Sequence, residues 1–377
     1  MNKKKIIHQA SLSKIGGVQT ILVGYLSNAI KISSYHHEIC GLHKLNTNFY
    51  PNLPVVYHNI KNNPYQLLKF LYYLKSKNSI IHFQNNAMSP LVNKLLGIIK
   101  GNKIIFHEQG TGWILSDDAI TTYRNNIKLA DLIIFGSDAA KVIVNHRVGL
   151  DGCNTKIIHN SFIKKNSDFS YLKKKHSKKR VGFIGRLEDF KGVHVLIEAI
   201  KTIDDDNVEC LIAGSGSYEG ELKKIANNQA NIKFIGATNK PLKFIANLDI
   251  LVIPSIRDAF ATVVQEAGFC NTAIIASNID GFSEIITNNE TGILLTPTKT
   301  SKIKGVQYVV SALGEVVKPM EIDPKLLAST IIELLQNKNK RKMLSENLYK
   351  TVNSKFTLES YASKLENIYA ELFNEKQ

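Results

Sequence analysis

Arg186 and Lys191 stand five residues apart in the run Gly185-Arg186-Leu187-Glu188-Asp189-Phe190-Lys191-Gly192, directly after an apolar stretch, Val181–Ile184, that reads as a buried strand. The carboxyl end of a strand in a parallel sheet is where ligands bind. Two cations there, just ahead of a helix N-terminus, make a diphosphate clamp. The planar fork of Arg186 grips phosphate oxygens, Lys191 adds a compact charge, and Gly185 and Gly192 let the backbone turn and approach closely. A surface turn with solvated charges has the same composition, and the run alone does not choose between the two.

Three further groups of residues carry potential chemistry. Asp258 and Glu266 lie eight residues apart where a loop after Ile250–Ile253 enters a helix. The helix's first amides suit a phosphate or a sugar hydroxyl, and a carboxylate one turn in can accept from a ribose diol. Helix capping by Asp258, with Glu266 an ordinary first-turn acid, explains the spacing as well. Gly16-Gly17-Val18 follows the first strand, so its main chain can lie against a pyrophosphate or a sugar, or simply form a βα turn. His107-Glu108 precedes Gly110, Gly112 and the only tryptophan, Trp113, at the end of another strand of the same sheet.

The elements that position these groups are legible as short Ile- and Val-rich runs, each followed by a helical pattern, the sign of βαβ units. In the first half they are Lys5–His8, His37–Leu42, Ile80–Phe83, Lys103–Phe106, Leu132–Phe135 and Lys156–Ile158. In the second half they are Val181–Ile184, Glu209–Ala213, Ile232–Ile235, Ile250–Ile253, Thr272–Ala276 and Ile293–Leu295. The expected fold is α/β, with two Rossmann-like, doubly wound parallel-sheet domains. Residues 1–165 form the first domain, 166–179 a basic linker, 180–355 the second domain, and 356–377 a last helix. The stretch 297–319 reads as a loop or small insertion, followed by helices over Pro324–Leu335 and Lys338–Tyr349.

Charge is distributed unevenly. Residues 1–160 carry 18 Lys+Arg against 7 Asp+Glu, residues 161–180 carry 8 against 1, and residues 181–377 carry 22 against 24. One domain is therefore expected to face a polyanion, either an anionic membrane surface, a lipid-phosphate acceptor or nucleic acid, unless the excess is a composition bias. No RRM, KH or zinc-finger pattern supports nucleic acid, which is not expected as a partner. No apolar run is long enough to span a membrane, so contact would be peripheral; the stretch Pro64–Lys75 either lies on a membrane or packs on its own sheet. The four scattered cysteines fit a reducing cytoplasm. His36, His37, Glu38, Cys40 and His43 have metal-like spacing, but neighbours on a strand alternate faces.

With these residues in hand, the chain resembles the retaining glycosyltransferases of family 4, of GT-B fold, in which two Rossmann-like domains face a cleft. The carriers are Gly16-Gly17-Val18, His107-Glu108, Gly185-Arg186 with Lys191-Gly192, Gly214-Ser215-Gly216, and Pro254-Ser255 with Asp258 to Glu266. Also matched are Ala130-Asp131 with Ser137, Asn160, and Gly281 with Glu284 before Gly292. The resemblance implies transfer of a sugar from a nucleotide-diphosphate donor, with retention and without a metal or other cofactor, to a glycan or lipid-linked acceptor. The setting implied is lipopolysaccharide, capsule or other bacterial surface glycan assembly, in the cytoplasm or at the inner face of its membrane.

By the same resemblance Arg186 and Lys191 would hold the diphosphate and Glu266 the ribose. Asp258 through Phe260, Ala261, Thr262 and Val263 would hold the sugar and distal phosphate, with Gly16, Gly17 and Gly214 also at the donor. His107 would position the reacting sugar and Asp258 would bond a sugar hydroxyl, both as catalytic residues. The family has Glu where this chain has Asp258, and glycines where it has Ala259 and Ala261. Competing readings are a nucleotide-sugar epimerase of the same fold and a basic nucleic-acid-binding protein. A third is an NAD-dependent oxidoreductase, read from Gly214-Ser215-Gly216-Ser217-Tyr218-Glu219-Gly220; its spacing is GxGxxxG, and Gly236-Ala237 stands where a ribose-binding acid belongs.

Overall fold

The computed structural model describes residues 4–14, 16–60, 63–75, 78–85, 87, 89–90, 101–161 and 176–374. It divides into two compact units, Met1–Ile163 with Thr357–Gln377, and Lys164–Phe356. The stretch 166–175 of the expected linker lies outside the described residues.

The first unit is built on seven parallel strands: β1 (Lys5–Gln9), β2 (His36–Gly41), β3 (Val56–Asn59), β4 (Ser79–Gln84), β5 (Lys103–Glu108), β6 (Leu132–Phe135) and β7 (Thr155–Ile157). They lie in the order β3-β2-β1-β4-β5-β6-β7. Helices α1 (Gly17–Ile32), α2 (Pro64–Lys75), α3 (Asp117–Ile127) and α4 (Asp138–Val148) belong to it. Strand β6, Leu-Ile-Ile-Phe, is buried at every position, because helices cover both faces of a parallel sheet and a two-period pattern has no exposed side to mark. The edge strand β3 has no counterpart among the runs read from sequence: Val-Tyr-His-Asn is short and half exposed, and carries no apolar run.

The second unit has β8 (Lys179–Ile184), β9 (Val208–Ala213), β10 (Ile232–Gly236), β11 (Ile250–Ile253), β12 (Ala273–Ser277) and β13 (Ile293–Leu295), ordered β10-β9-β8-β11-β12-β13. Its helices are α5 (Val193–Lys201), α6 (Glu219–Ala226), α7 (Pro241–Ala246), α8 (Thr262–Phe269), α9 (Pro324–Gln336) and α10 (Lys338–Lys355). The strand order turns back between β1 and β4 in one sheet and between β8 and β11 in the other, and such switch points are where open α/β sheets bind ligands. The insertion is not a plain loop. It forms two antiparallel ribbons, β14 (Lys299–Thr300) with β17 (Met320–Glu321), and β15 (Val309–Val310) with β16 (Val316–Val317).

The last helix, α11 (Leu358–Asn374), is part of the first unit. Leu358, Tyr361, Ala362, Leu365, Ile368, Tyr369, Leu372 and Phe373 recur every three or four residues and bury one stripe on the first sheet. The Tyr25 hydroxyl donates to Glu366 at 2.6 Å, and Tyr369 Oη lies 2.7 Å from His82 Nδ1. Beneath this helix His37, His8, His82 and His107 form a row across four adjacent strands, each ring 5.4 Å from the next. Burial lowers the pKa of all four, so they pack as neutral rings at pH 7. The metal-like spacing around His37 separates across the strand: His37 meets His8 at 3.1 Å, while Glu38 takes His58 at 2.6 Å and Lys5 at 3.2 Å.

Candidate functional site in the second unit

Three turns converge at the carboxyl edge of the second sheet. The turn after β8, residues 185–192, is held on one side by the turn after β9: Leu187 N–H donates to Ser215 O at 3.0 Å and Tyr218 N–H to Leu187 O at 2.9 Å. On its other side lies the loop after β11, where Ile256 N–H donates to Phe190 O at 2.9 Å. Glycine permits both approaches. A Cβ on Gly192, whose φ is +66°, would stand 1.9 Å from Pro254 O, and one on Gly214 would stand 1.8 Å from Gly185 O. Backbone packing thus accounts for Gly214 and Gly216, the latter crowded against Leu187 O, without a dinucleotide.

The turns enclose a cavity of about 470 Å³, within the range of small-molecule sites. Arg186, Lys191, Gly214, Asp258, Phe260, Ala261, Thr262, Val263 and Glu266 all line it. Lys191 Nζ lies 2.6 Å from Asp258 Oδ2. Asp258 therefore does not cap α8; Ala261 occupies the N-cap and offers no side-chain hydrogen bond. The first amides of α8, at Thr262 and Val263, are left to whatever enters the cavity. Glu266 lies one turn into α8, and burial pushes its carboxyl up to about 7.

Sequence reading passed over Arg257 and Asp280. Arg257 stacks 4.3 Å above the Phe190 ring, with Lys191 5.6 Å and Arg186 5.8 Å from the same centroid. Three cations thus share one aromatic ring beside the cavity, with Asp280, Asp258 and Asp189 acting favourably on Arg257. Asp280 lies 22 residues from Asp258 in sequence, and its carboxyl accepts the Asp258 N–H at 2.9 Å. No spacing rule connects them.

Gly16, Gly17 and His107 belong to the first unit. Gly17 opens α1, the Gly16 carbonyl accepts from Thr20 N–H at 2.9 Å, and a cavity of about 140 Å³ lined by Ser11, Val18, Gln19, Gln84 and Asn85 lies alongside. His107 is 1% exposed, stacked between His82 and Tyr361, and neither ring nitrogen has a hydrogen-bond partner among the described residues. Burial takes its pKa down to about 3. The neighbouring Glu108 holds a turn: its carboxylate accepts from the amides of Gly110, Thr111 and Gly112 and from the Tyr123 hydroxyl.

The cavity at this switch point thus joins Arg186 and Lys191 to the opening turn of α8, with the Glu266 carboxyl one helical turn behind. Residues 164–311 match the family model of glycosyl transferases group 1. Over 203 residues the chain is 26% identical to the capsular polysaccharide biosynthesis glycosyltransferase CapM of Staphylococcus aureus, covering 52% of this chain. That alignment spans 47% of CapM, about half its length. Among solved structures, Anabaena HepE in complex with UDP aligns with a TM-score of 0.76 at 19% identity, over 97% of this chain and 100% of that one. Its complex with UDP-glucose gives 0.72 at 18% identity, over 97% and 99%. The fold is GT-B, and the match to the group 1 family model falls within the second unit.

Burial raises the Glu266 carboxyl from 4.5 to about 7, so it adds nothing unfavourable below about pH 4.5, destabilises the ligand-free chain progressively as pH rises from about 4.5 to about 7, and holds that full penalty above. Glu266→Gln should therefore raise the melting temperature at pH 8.5, by an amount reflecting roughly 3 kcal/mol, and the gain should fade as pH drops toward 4.5. Paired thermal melts across that range check this; a gain that does not vary with pH contradicts it.

Proposed function

We propose that the chain is a retaining glycosyltransferase that moves a sugar from a nucleotide-diphosphate donor, held in the second unit, to a glycan or lipid-linked acceptor. The observation that carries this reading is the cavity in which Arg186, Lys191 and the opening amides of α8 meet Glu266. The diphosphate lies on the two cations and the amides, and the ribose diol donates to Glu266. Lys191 has three donors, so it can keep Asp258 and still take a phosphate oxygen. Asp258 then stands beside the sugar, one of whose hydroxyls it accepts.

In the reaction the acceptor oxygen bonds to the anomeric carbon on the face from which the carbon–phosphate oxygen bond breaks. The acceptor proton passes to the departing phosphate oxygen, and Arg186, Lys191 and the α8 amides stabilise the charge that develops there. With these groups in place the leaving diphosphate needs no divalent metal. Bacterial surface glycan synthesis is the setting favoured by the likeness to CapM, and a uridine donor by the likeness to HepE.

The expected outcome is that one of a panel of UDP-, GDP-, ADP- and CMP-sugars raises the melting temperature with EDTA present. Arg186→Ala should weaken that donor about 10- to 100-fold, the range for losing hydrogen bonds to a charged group. Stabilisation that needs a metal, or that survives Arg186→Ala, contradicts the clamp. NAD as the only stabilising ligand contradicts the transferase reading.

The acceptor side bears on α2. Phe70, 1% exposed, anchors this helix, while Tyr65, Leu68 and Tyr72 project at 75%, 65% and 70% exposure. No helix among the described residues is long and apolar enough to cross a membrane. An exposed aromatic-aliphatic stripe in the half of the chain that carries the excess of Lys and Arg fits peripheral contact with an anionic bilayer, at the cytoplasmic face. The chain should float with vesicles containing phosphatidylglycerol, and Tyr65→Ser with Leu68→Ser and Tyr72→Ser should weaken this at least tenfold. Equal binding to neutral vesicles, or no loss in the triple variant, contradicts the contact.

A further inference from the structure

Asp280 sits between the donor cavity and the insertion and touches both. It follows β12 with φ at +48°, the left-handed region in which a side chain is disfavoured and glycine is at ease. A residue held there needs a reason, and its carboxyl supplies one. The side chain is buried, with Oδ2 accepting the Asp258 N–H at 2.9 Å and Oδ1 accepting the Val310 N–H at 2.7 Å. The next residue completes the grip: Gly281 N–H donates to Asp258 O at 3.4 Å, and a Cβ on Gly281 would stand 2.5 Å from Ala259 O. Both peptide groups of Asp258 are thereby held by residues 280 and 281.

The other end of the carboxyl is equally fixed. Val310 lies in the ribbon β15–β16, is buried beside Val309, and its neighbour Ser311 bridges Ile279 in antiparallel fashion. The Asp280 side chain thereby joins the insertion to the cavity loop. At the cavity Asp258 is the residue so gripped, whereas Arg186 and Glu266 sit on the β8 turn and on α8, with no bond to Asp280 among those of the described residues. Ionised groups facing Asp280 are Asp258 and Arg257.

We propose that Asp280 is a positioning residue, a strut through which the insertion sets where Asp258 stands and so selects the sugar of the donor rather than its nucleotide. The inference rests on the donor reading above. An aspartate at position 258 is a short side chain, and its reach is set by its main chain; the strut fixes that main chain so that the carboxylate meets Lys191.

Asp280→Gly tests this in the full-length chain, because it removes the strut while relieving the backbone. The variant is expected to melt no lower than about 3 °C below wild type. Its Asp258 and Val310 amides are expected to exchange with deuterium at least tenfold faster, with β11 amides unchanged. With UDP and UDP-glucose as probes, UDP affinity should stay within twofold and UDP-glucose affinity should fall about tenfold. Asp280→Asn, which turns an NH₂ toward one of the two N–H donors, should release one amide and show an intermediate loss. Unchanged protection at both amides overturns the strut, and equal weakening of UDP and UDP-glucose overturns its role in sugar selection. A wild-type chain that binds neither probe overturns the uridine donor, while the exchange result still decides the strut.

Discussion

The second unit depends on one close contact, that of Gly192 with the Pro254 carbonyl. Residue 192 must carry no Cβ for the turn after β8 and the loop after β11 to meet edge to edge and share the Ile256–Phe190 hydrogen bond. Once they do, Lys191 on one loop faces Asp258 on the other, and the amides opening α8 face Arg186 across the same space. The site is a consequence of backbone packing at a switch point, with side chains chosen to suit it.

Electrostatics give that packing its purpose. Arg186, Lys191 and Arg257 are gathered round Phe190, with Asp258 paired to Lys191 and with Asp280, Asp258 and Asp189 acting favourably on Arg257. Glu266 has a raised pKa because its position on α8 keeps its carboxyl largely away from water. Such a site gives up stability in order to be preorganised for an anion and a diol.

Much of this was legible in the chain. The buried strands stand out because parallel sheets demand continuous apolar runs; Arg186, Lys191, Asp258 and Glu266, singled out by spacing, line one cavity with Gly214, Phe260, Ala261, Thr262 and Val263, which the resemblance added. Of the two readings that spacing left for Asp258, geometry removes the helix cap: the residue pairs with Lys191 and leaves α8 uncapped. The edge strand β3 escaped notice because its alternation is too short to register, and the ribbons of the insertion because strands of two residues have no period. Asp280 escaped for a different reason. Its role comes from a positive φ and from two amides 22 and 30 residues away, and only folding brings those together.

The central claim is that the diphosphate of a nucleotide sugar rests on Arg186, Lys191 and the first amides of α8 without a metal. Its most direct test is a crystal structure grown in EDTA with bound UDP. The account predicts diphosphate density within hydrogen-bonding distance of both cations and of the Thr262 or Val263 amide, with the ribose against Glu266. Density for the nucleotide elsewhere, or its appearance only when Mg²⁺ or Mn²⁺ replaces EDTA, would contradict it.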